Sequence, residues 1–150
     1  MIAQKELETI ARTAATAHGL DPALVCAVCD HESIGWQQYA VRYEPGFYDR
    51  YVSAMHGLTE TEKKMRATSF GLMQVLGQTA RELGFDGRFL TELFEPETAI
   101  IYGCKKLKRE MDKHNGDVRA ALLGYNGGGD LSYPDRVLQL YPKYQKGLNR

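Results

Sequence analysis

The chain has 150 residues, 43% of them apolar and 25% charged, with 19 basic residues against 19 acidic ones. That length makes one domain able to bury roughly 68–70% of its unfolded surface, and the composition excludes a disordered or membrane-spanning chain. With no net field, long-range attraction to nucleic acid or an anionic surface is not expected, so recognition has to be short-range and shape-based.

Met1 to Leu7 carry Lys5 and Glu6 with no apolar run behind them, so no secretory signal is read and the protein is expected to start in the cytosol. Residues 4 to 18 place Leu7, Ile10, Ala11, Ala14 and Ala17 on one helical face, and Gly19 is a natural stop. Asp21 and Pro22 read as the cap and first residue of a second helix, which turns Leu24, Val25, Val28 and Cys29 inward and ends at Glu32. Glu32 therefore sits at the negative end of a buried helix, where the charged carboxylate is disfavoured and its pKa rises. From Ile34 to Thr68 the pattern is broken by Gly35, Pro45, Gly46 and Gly57. A short aromatic helix is predicted around Phe47 to Ala54, and the region from Ile34 to Phe47 is the one place where a short hairpin would fit.

Thr59 and Glu62 form a capping-box pair opening a charged helix to about Ala67. A helix over Leu72 to Leu83 is predicted to stop at Gly84. Pro96 opens the longest helix, whose stripe of Ile100, Cys104, Leu107 and Met111 belongs to the core, and His114-Asn115-Gly116 closes it. Asp117 caps a helix to Tyr125, Gly127 to Gly129 make a turn, and a last helix covers Tyr133 to Leu140. The expected architecture is all-α: one domain over residues 1–150, with a cleft.

Cys26, Cys29 and Cys104 are an odd number without an export signal, and read as buried, reduced thiols packing helices. His18, His31, His56 and His114 have no spacing that suggests a metal site, and His31 on a helix points about 100° away from its neighbour Glu32. Lys105, Lys106, Lys108 and Arg109, with Lys63, Lys64 and Arg66, read as solvated helix faces without the interleaved aromatics that nucleic-acid stacking needs. No cofactor, metal, nucleic-acid partner or membrane insertion is expected, and the chain is expected to be a monomer.

Three short blocks carry chemistry: His31-Glu32-Ser33, then Ser69-Phe70-Gly71-Leu72-Met73-Gln74, then Tyr125-Asn126-Gly127-Gly128. Cutting an acetal at neutral pH needs a proton on the leaving oxygen, and a carboxylic acid kept protonated by an apolar wall is the usual donor, which makes Glu32 the candidate. In this order and at these separations the blocks resemble the lysozyme-like domain shared by lytic transglycosylases and goose-type lysozymes, over about residues 20 to 145. The resemblance implies cleavage of the peptidoglycan glycan strand with Glu32 as general acid and base and Ser33 as a polar contact beside it. It further implies that Gly71 lets the backbone approach the sugar, Met73 walls a subsite and Gln74 bonds saccharide. Tyr125 and Asn126 would line the cleft near an N-acetyl group, with Gly124 standing where the family usually has Ala. Tyr133, opening the last helix, would reach the catalytic Glu with its hydroxyl. The long span between Ser33 and Ser69, with its run Tyr39 to Pro45, resembles phage versions and implies an endolysin, held in the host cytoplasm until release to the wall, or a virion-associated enzyme.

Two reactions are open, and Glu44 decides between them. A hydrolase needs a second carboxylate about 5–5.5 Å away as nucleophile or about 6.5–9.5 Å away to activate water, whereas a lytic transglycosylase uses the muramic acid's own C6 hydroxyl. Glu44 could be the first acid of the goose-type pattern, but Leu76 follows Val75 where that pattern has Asp. The sequence therefore favours a 1,6-anhydro-forming transglycosylase, with a muramidase using Glu44 as the alternative and a non-catalytic glycan-binding or phage structural protein third. Glu44 is otherwise a salt-bridge partner for Arg42 or Arg50.

Overall fold

In the computed structural model, which describes residues 1–146, helix α1 (Gln4–Ala17) buries Leu7, Ala11, Ala14 and Ala15 and is followed by Gly19 at φ +70°. Helix α2 (Pro22–Glu32) starts where Asp21 Oδ1 accepts the Ala23 N–H at 2.9 Å, with Pro22 in the first turn where its missing donor is harmless. Ala23 to Cys29 are all buried, so α2 is covered on every side and has no polar face. α1 packs against one flank and α8 (Tyr133–Gln145) against the other. The last helix runs five residues past the expected end at Leu140, carrying Tyr144 into the core. Tyr144 Oη accepts from Trp36 Nε1 at 2.7 Å and donates to Asp30 Oδ2 at 2.6 Å. All three cysteines have no exposed surface, and burial pushes the Cys26 and Cys104 thiols up to about 12.

Past α2 the chain turns sharply through Ile34, Gly35 and Trp36, all with positive φ. Strand β1 (Val41–Tyr43) follows, then α3 (Pro45–Phe47), which runs into a wide π turn over Tyr48–Val52 where an ordinary helix was expected. Helix α4 (Glu60–Arg66) is capped by Thr59 Oγ1, which accepts the Glu62 N–H. The reciprocal half of the expected capping box is replaced by ion pairs from Glu62 to Arg66 and Arg81.

Two strand expectations change. The hairpin within residues 34–47 does not form: β1 pairs antiparallel with β2 (Thr68–Phe70), Val41 opposite Phe70, and β2 pairs with β3 (Val75–Leu76). Nor does a helix begin at Leu72. Gly71 and Gln74 both have positive φ, which a helix cannot accept, so residues 71–74 are the β2–β3 turn and α5 is confined to Gly77–Glu82. A 3₁₀ turn over Leu90–Phe94 precedes α6 (Pro96–Lys113), and α7 (Val118–Tyr125) packs on α6 under the Asp117 cap. The result is a mostly helical fold with a three-stranded sheet at one side, and no described helix is long and apolar enough to cross a membrane.

Candidate active site

The C-terminal end of α2 opens onto a cleft of about 950 Å³ between the small sheet and the α6–α7 pair. Glu32 projects from that end half-buried, and its Oε1 accepts a hydrogen bond from Tyr133 Oη at 2.6 Å. Burial raises the Glu32 pKa above the ordinary carboxylate range; the Tyr133 hydrogen bond and the positive charge of Lys106, His31 and Arg42 oppose it without cancelling it. The Tyr133 ring, nearly without exposed surface, is held edge-on to His31 at 5.2 Å between centroids. Burial, with Glu32 next, raises the Tyr133 phenol strongly, so it stays a neutral donor.

Ser33 also faces the cleft, but it is fully buried and its Oγ donates back to the Cys29 carbonyl at 2.5 Å. Its proton is therefore committed to the helix rather than offered outward. The neighbouring Ile34 is 85% exposed on the cleft rim at φ 53°, a strained backbone for a β-branched side chain.

The second block behaves differently from its expected roles. Gln74 lines the cleft, yet its Nε2 donates to the Ala40 and Gly71 carbonyls, both at 3.0 Å, and so ties the turn to the segment leading into β1. Met73 has no exposed surface and cannot wall a subsite; it packs so tightly on α6 that a Cβ on Gly103 would lie 2.2 Å from its sulfur. Gly71 is also interior. A Cβ there would sit 2.8 Å from the Leu93 carbonyl oxygen and φ is +70°, so glycine is required by packing and turn geometry rather than by a sugar.

From the third block, Asn126 is exposed in the cleft, and Tyr125 contributes its ring while its hydroxyl donates to the Met73 carbonyl at 2.6 Å. Tyr125 thus clamps the two motif blocks together across the α7–turn junction. Glu44 lines the same cleft, but its carboxylate is held by Arg42 at 2.5 Å, the pairing that the sequence offers as its alternative role. Leu76 stands nearby with no carboxylate to offer. The structure so gathers Glu32, Ser33, Glu44, Gln74, Tyr125 and Asn126 at one cleft, places Tyr133 directly behind the acid, and leaves Gly71 and Met73 in the interior.

Two lining residues escape the sequence reading. Lys106 is not on a solvated face: its Nζ lies 4.1 Å from the centroid of the Tyr125 ring, and burial lowers its pKa to about 8. Glu110, one turn further along α6, is 9% exposed and faces Gly124. The available signal was positional, because Glu110 shares the α6 face of Gly103 and Leu107, where an acid interrupts a buried stripe.

No solved structure matches the chain significantly. A family model described as the transglycosylase SLT domain matches residues 9–132, from α1 through the turn after α7, and includes all three blocks while ending one residue before Tyr133. That match covers most of the 150 residues, and the chain belongs to the transglycosylase SLT domain family.

Proposed function

We propose that the protein is a peptidoglycan lytic transglycosylase that cuts the β-1,4 bond between N-acetylmuramic acid and N-acetylglucosamine, with Glu32 as its only general acid and base. Family membership supports the activity class. The observation that carries the mechanism is a protonatable carboxyl held at the cleft wall, raised by burial and bonded by the neutral Tyr133 hydroxyl. Glu32 gives its proton to the departing glycosidic oxygen. The muramic C6 hydroxyl then attacks C1, its proton passes to the Glu32 carboxylate, and the products are a 1,6-anhydro sugar and a free 4-hydroxyl, with the acid restored. An intramolecular nucleophile needs no separate capture or orientation of water.

A hydrolytic second reading has one observation in its favour, that Glu44 lines the same cleft. Against it stand the Arg42 ion pair on that carboxylate and Leu76 where a second acid would be needed. Mass spectrometry of digested peptidoglycan discriminates: transglycosylation yields products one water lighter than hydrolysis. Glu32→Gln keeps the shape and removes the proton, so turnover should fall by roughly 10²–10⁴-fold or more, because one group serves twice. Near-parental turnover by that variant would overturn the site. Products with reducing-end muramic acid, together with an inactive Glu44→Gln, would make the enzyme a muramidase. The run from Tyr39 to Pro45 supports, in the same reading, a phage lysis or virion role.

A further inference from the structure

Lys106 differs from the lysines beside it. Lys108 pairs with Asp112 at 2.6 Å on the outer face of α6, whereas the Lys106 ammonium is drawn into the cleft over the face of Tyr125. That ring is a fixed platform, since its hydroxyl is bonded to the Met73 carbonyl. A cation on an aromatic face spends its charge on the ring quadrupole and keeps N–H donors free to point elsewhere.

Behind it, Glu110 Oε2 is buried with no hydrogen-bond partner among the described residues; His114 Nε2 lies 3.6 Å away. The carboxylate fills the place a side chain on Gly124 would take, 2.3 Å from where that Cβ would be. Glycine at position 124 and the buried acid therefore go together in the packing. The Lys106 ammonium stands one turn earlier on the same helix; Glu32 first and Glu110 after it favour its charge, against burial and Arg109.

We propose that Lys106 is a substrate-binding residue of this cleft, its ammonium donating to an acyl oxygen on the sugar bound beside Glu32, with Glu110, seated under Gly124, as a positioning residue that together with Glu32 favours the charged ammonium. The proposal rests on the glycan-cleaving reading above. The acyl oxygen belongs to the sugar's N-acetyl group or to its lactyl ether substituent; the two share the carbonyl acceptor that an ammonium recognises. Glu32 from α2, Tyr125 from α7, and Arg109 and Glu110 from α6 face the lysine, and the net effect of burial among them brings its pKa to about 8. The charged form is therefore lost above that pH, and with it the donor.

The test compares Lys106→Met, Lys106→Arg and Glu110→Gln with the parent, all as full-length protein on solubilised glycan strands. Lys106→Met should raise KM roughly tenfold or more, the worth of a hydrogen bond to a charged donor, with a smaller change in kcat. Lys106→Arg should recover most of that loss and move the alkaline limb near pH 8 upward. Glu110→Gln, which removes one charge favouring the ammonium, should move that limb downward. Binding of tetra-N-acetylchitotetraose and of muramic-acid-containing strands to the Lys106→Met protein separates the sources: weakening of both assigns the N-acetyl carbonyl, weakening of the second alone the lactyl one. An unchanged KM with no rescue by Arg, or an alkaline limb that stays where it is in the Arg variant, overturns the proposal. Failure of the catalytic reading itself would show differently, as turnover surviving in Glu32→Gln.

Discussion

Replacing Tyr133 by Phe removes one oxygen and one hydrogen bond from the acid and nothing else, because the ring is buried and edge-packed on His31. The bond lost is the 2.6 Å contact to Glu32 Oε1. A hydrogen bond to a charged acceptor is worth about 1.5–3 kcal/mol, and the protonated carboxyl would recover about 0.5–1.5 kcal/mol of that as a neutral acceptor. The difference favours the carboxylate by about 1–1.5 kcal/mol. Without the phenol, Glu32 should therefore titrate higher still, adding to a shift that burial already makes upward. Since the leaving oxygen takes its proton from the acid form, the pH at which activity falls off through Glu32 should rise with it. The plateau kcat should drop a few-fold, because a weaker acid transfers its proton less readily. A pH–rate profile on purified glycan strands, with a carboxyl-carbon NMR titration of Glu32 beside it, measures both. A Glu32 titration that stays in place or moves down in Tyr133→Phe would refute the argument that the phenol stabilises the charged carboxylate.

The Glu110–Gly124 fit can be read as a change of sign. Gly124→Ala in the parent should be neutral to about 2 kcal/mol destabilising, the gain of about 1 kcal/mol from helix propensity being offset by displacing a buried carboxylate, whereas in a Glu110→Ala background it should stabilise by about 0.5–1 kcal/mol. Urea unfolding of the four proteins decides it, and the same sign in both backgrounds would sink the idea. For Glu32→Gln, the raised folded-state pKa means that the parent loses stability as pH climbs from about 4.3 through that higher value. The inactive variant, which has no such proton to lose, should therefore be the more stable protein at neutral pH and gain nothing below pH 4; a parent that is equally stable at both would contradict the burial of the acid.

Legibility in the sequence followed the length of the pattern. α1, α2, α6 and α7 were readable because caps such as Asp21 and Asp117 and stops such as Gly19 coincide with apolar faces several turns long. The sheet was not, because strands of two or three residues leave no alternation to detect and β1 pairs with a distant segment, from Tyr43 with Thr68, 25 residues apart, to Val41 with Phe70, 29 apart. The β2–β3 turn was mistaken for helix because Leu72 and Met73 look like the start of an apolar stripe, while the feature that forbids it, positive φ at Gln74, belongs to a residue type that gives no warning. The gathering of Glu32 and the blocks at one cleft was legible through their order, and the placement of Tyr133 through its position at the head of α8. The interior placement of Gly71 and Met73 was not, since a residue facing α6 and one facing the cleft read alike in a short motif. Lys106 was hidden for the opposite reason: charged residues on either side make its helix face look solvated until Tyr125 is packed against it.

Two carboxylates leave the end of α2 within three residues of each other and meet different partners from the same helix, α8. Asp30 accepts from Tyr144 Oη at 2.6 Å and pairs with Lys143 Nζ at 3.2 Å, whereas Glu32 accepts only a phenol from that helix, Tyr133. Lys143 and Tyr144 both reach Asp30 from α8, which suits that carboxylate to fastening α8 onto α2. A phenol binds either form, because its hydroxyl donates to a carboxylate and, more weakly, to the carbonyl oxygen of a carboxylic acid. A group that has to give up a proton and take one back within a single turnover needs a partner of that kind. The assignment of roles to these two acids therefore follows from what α8 presents to each, as well as from where the cleft opens.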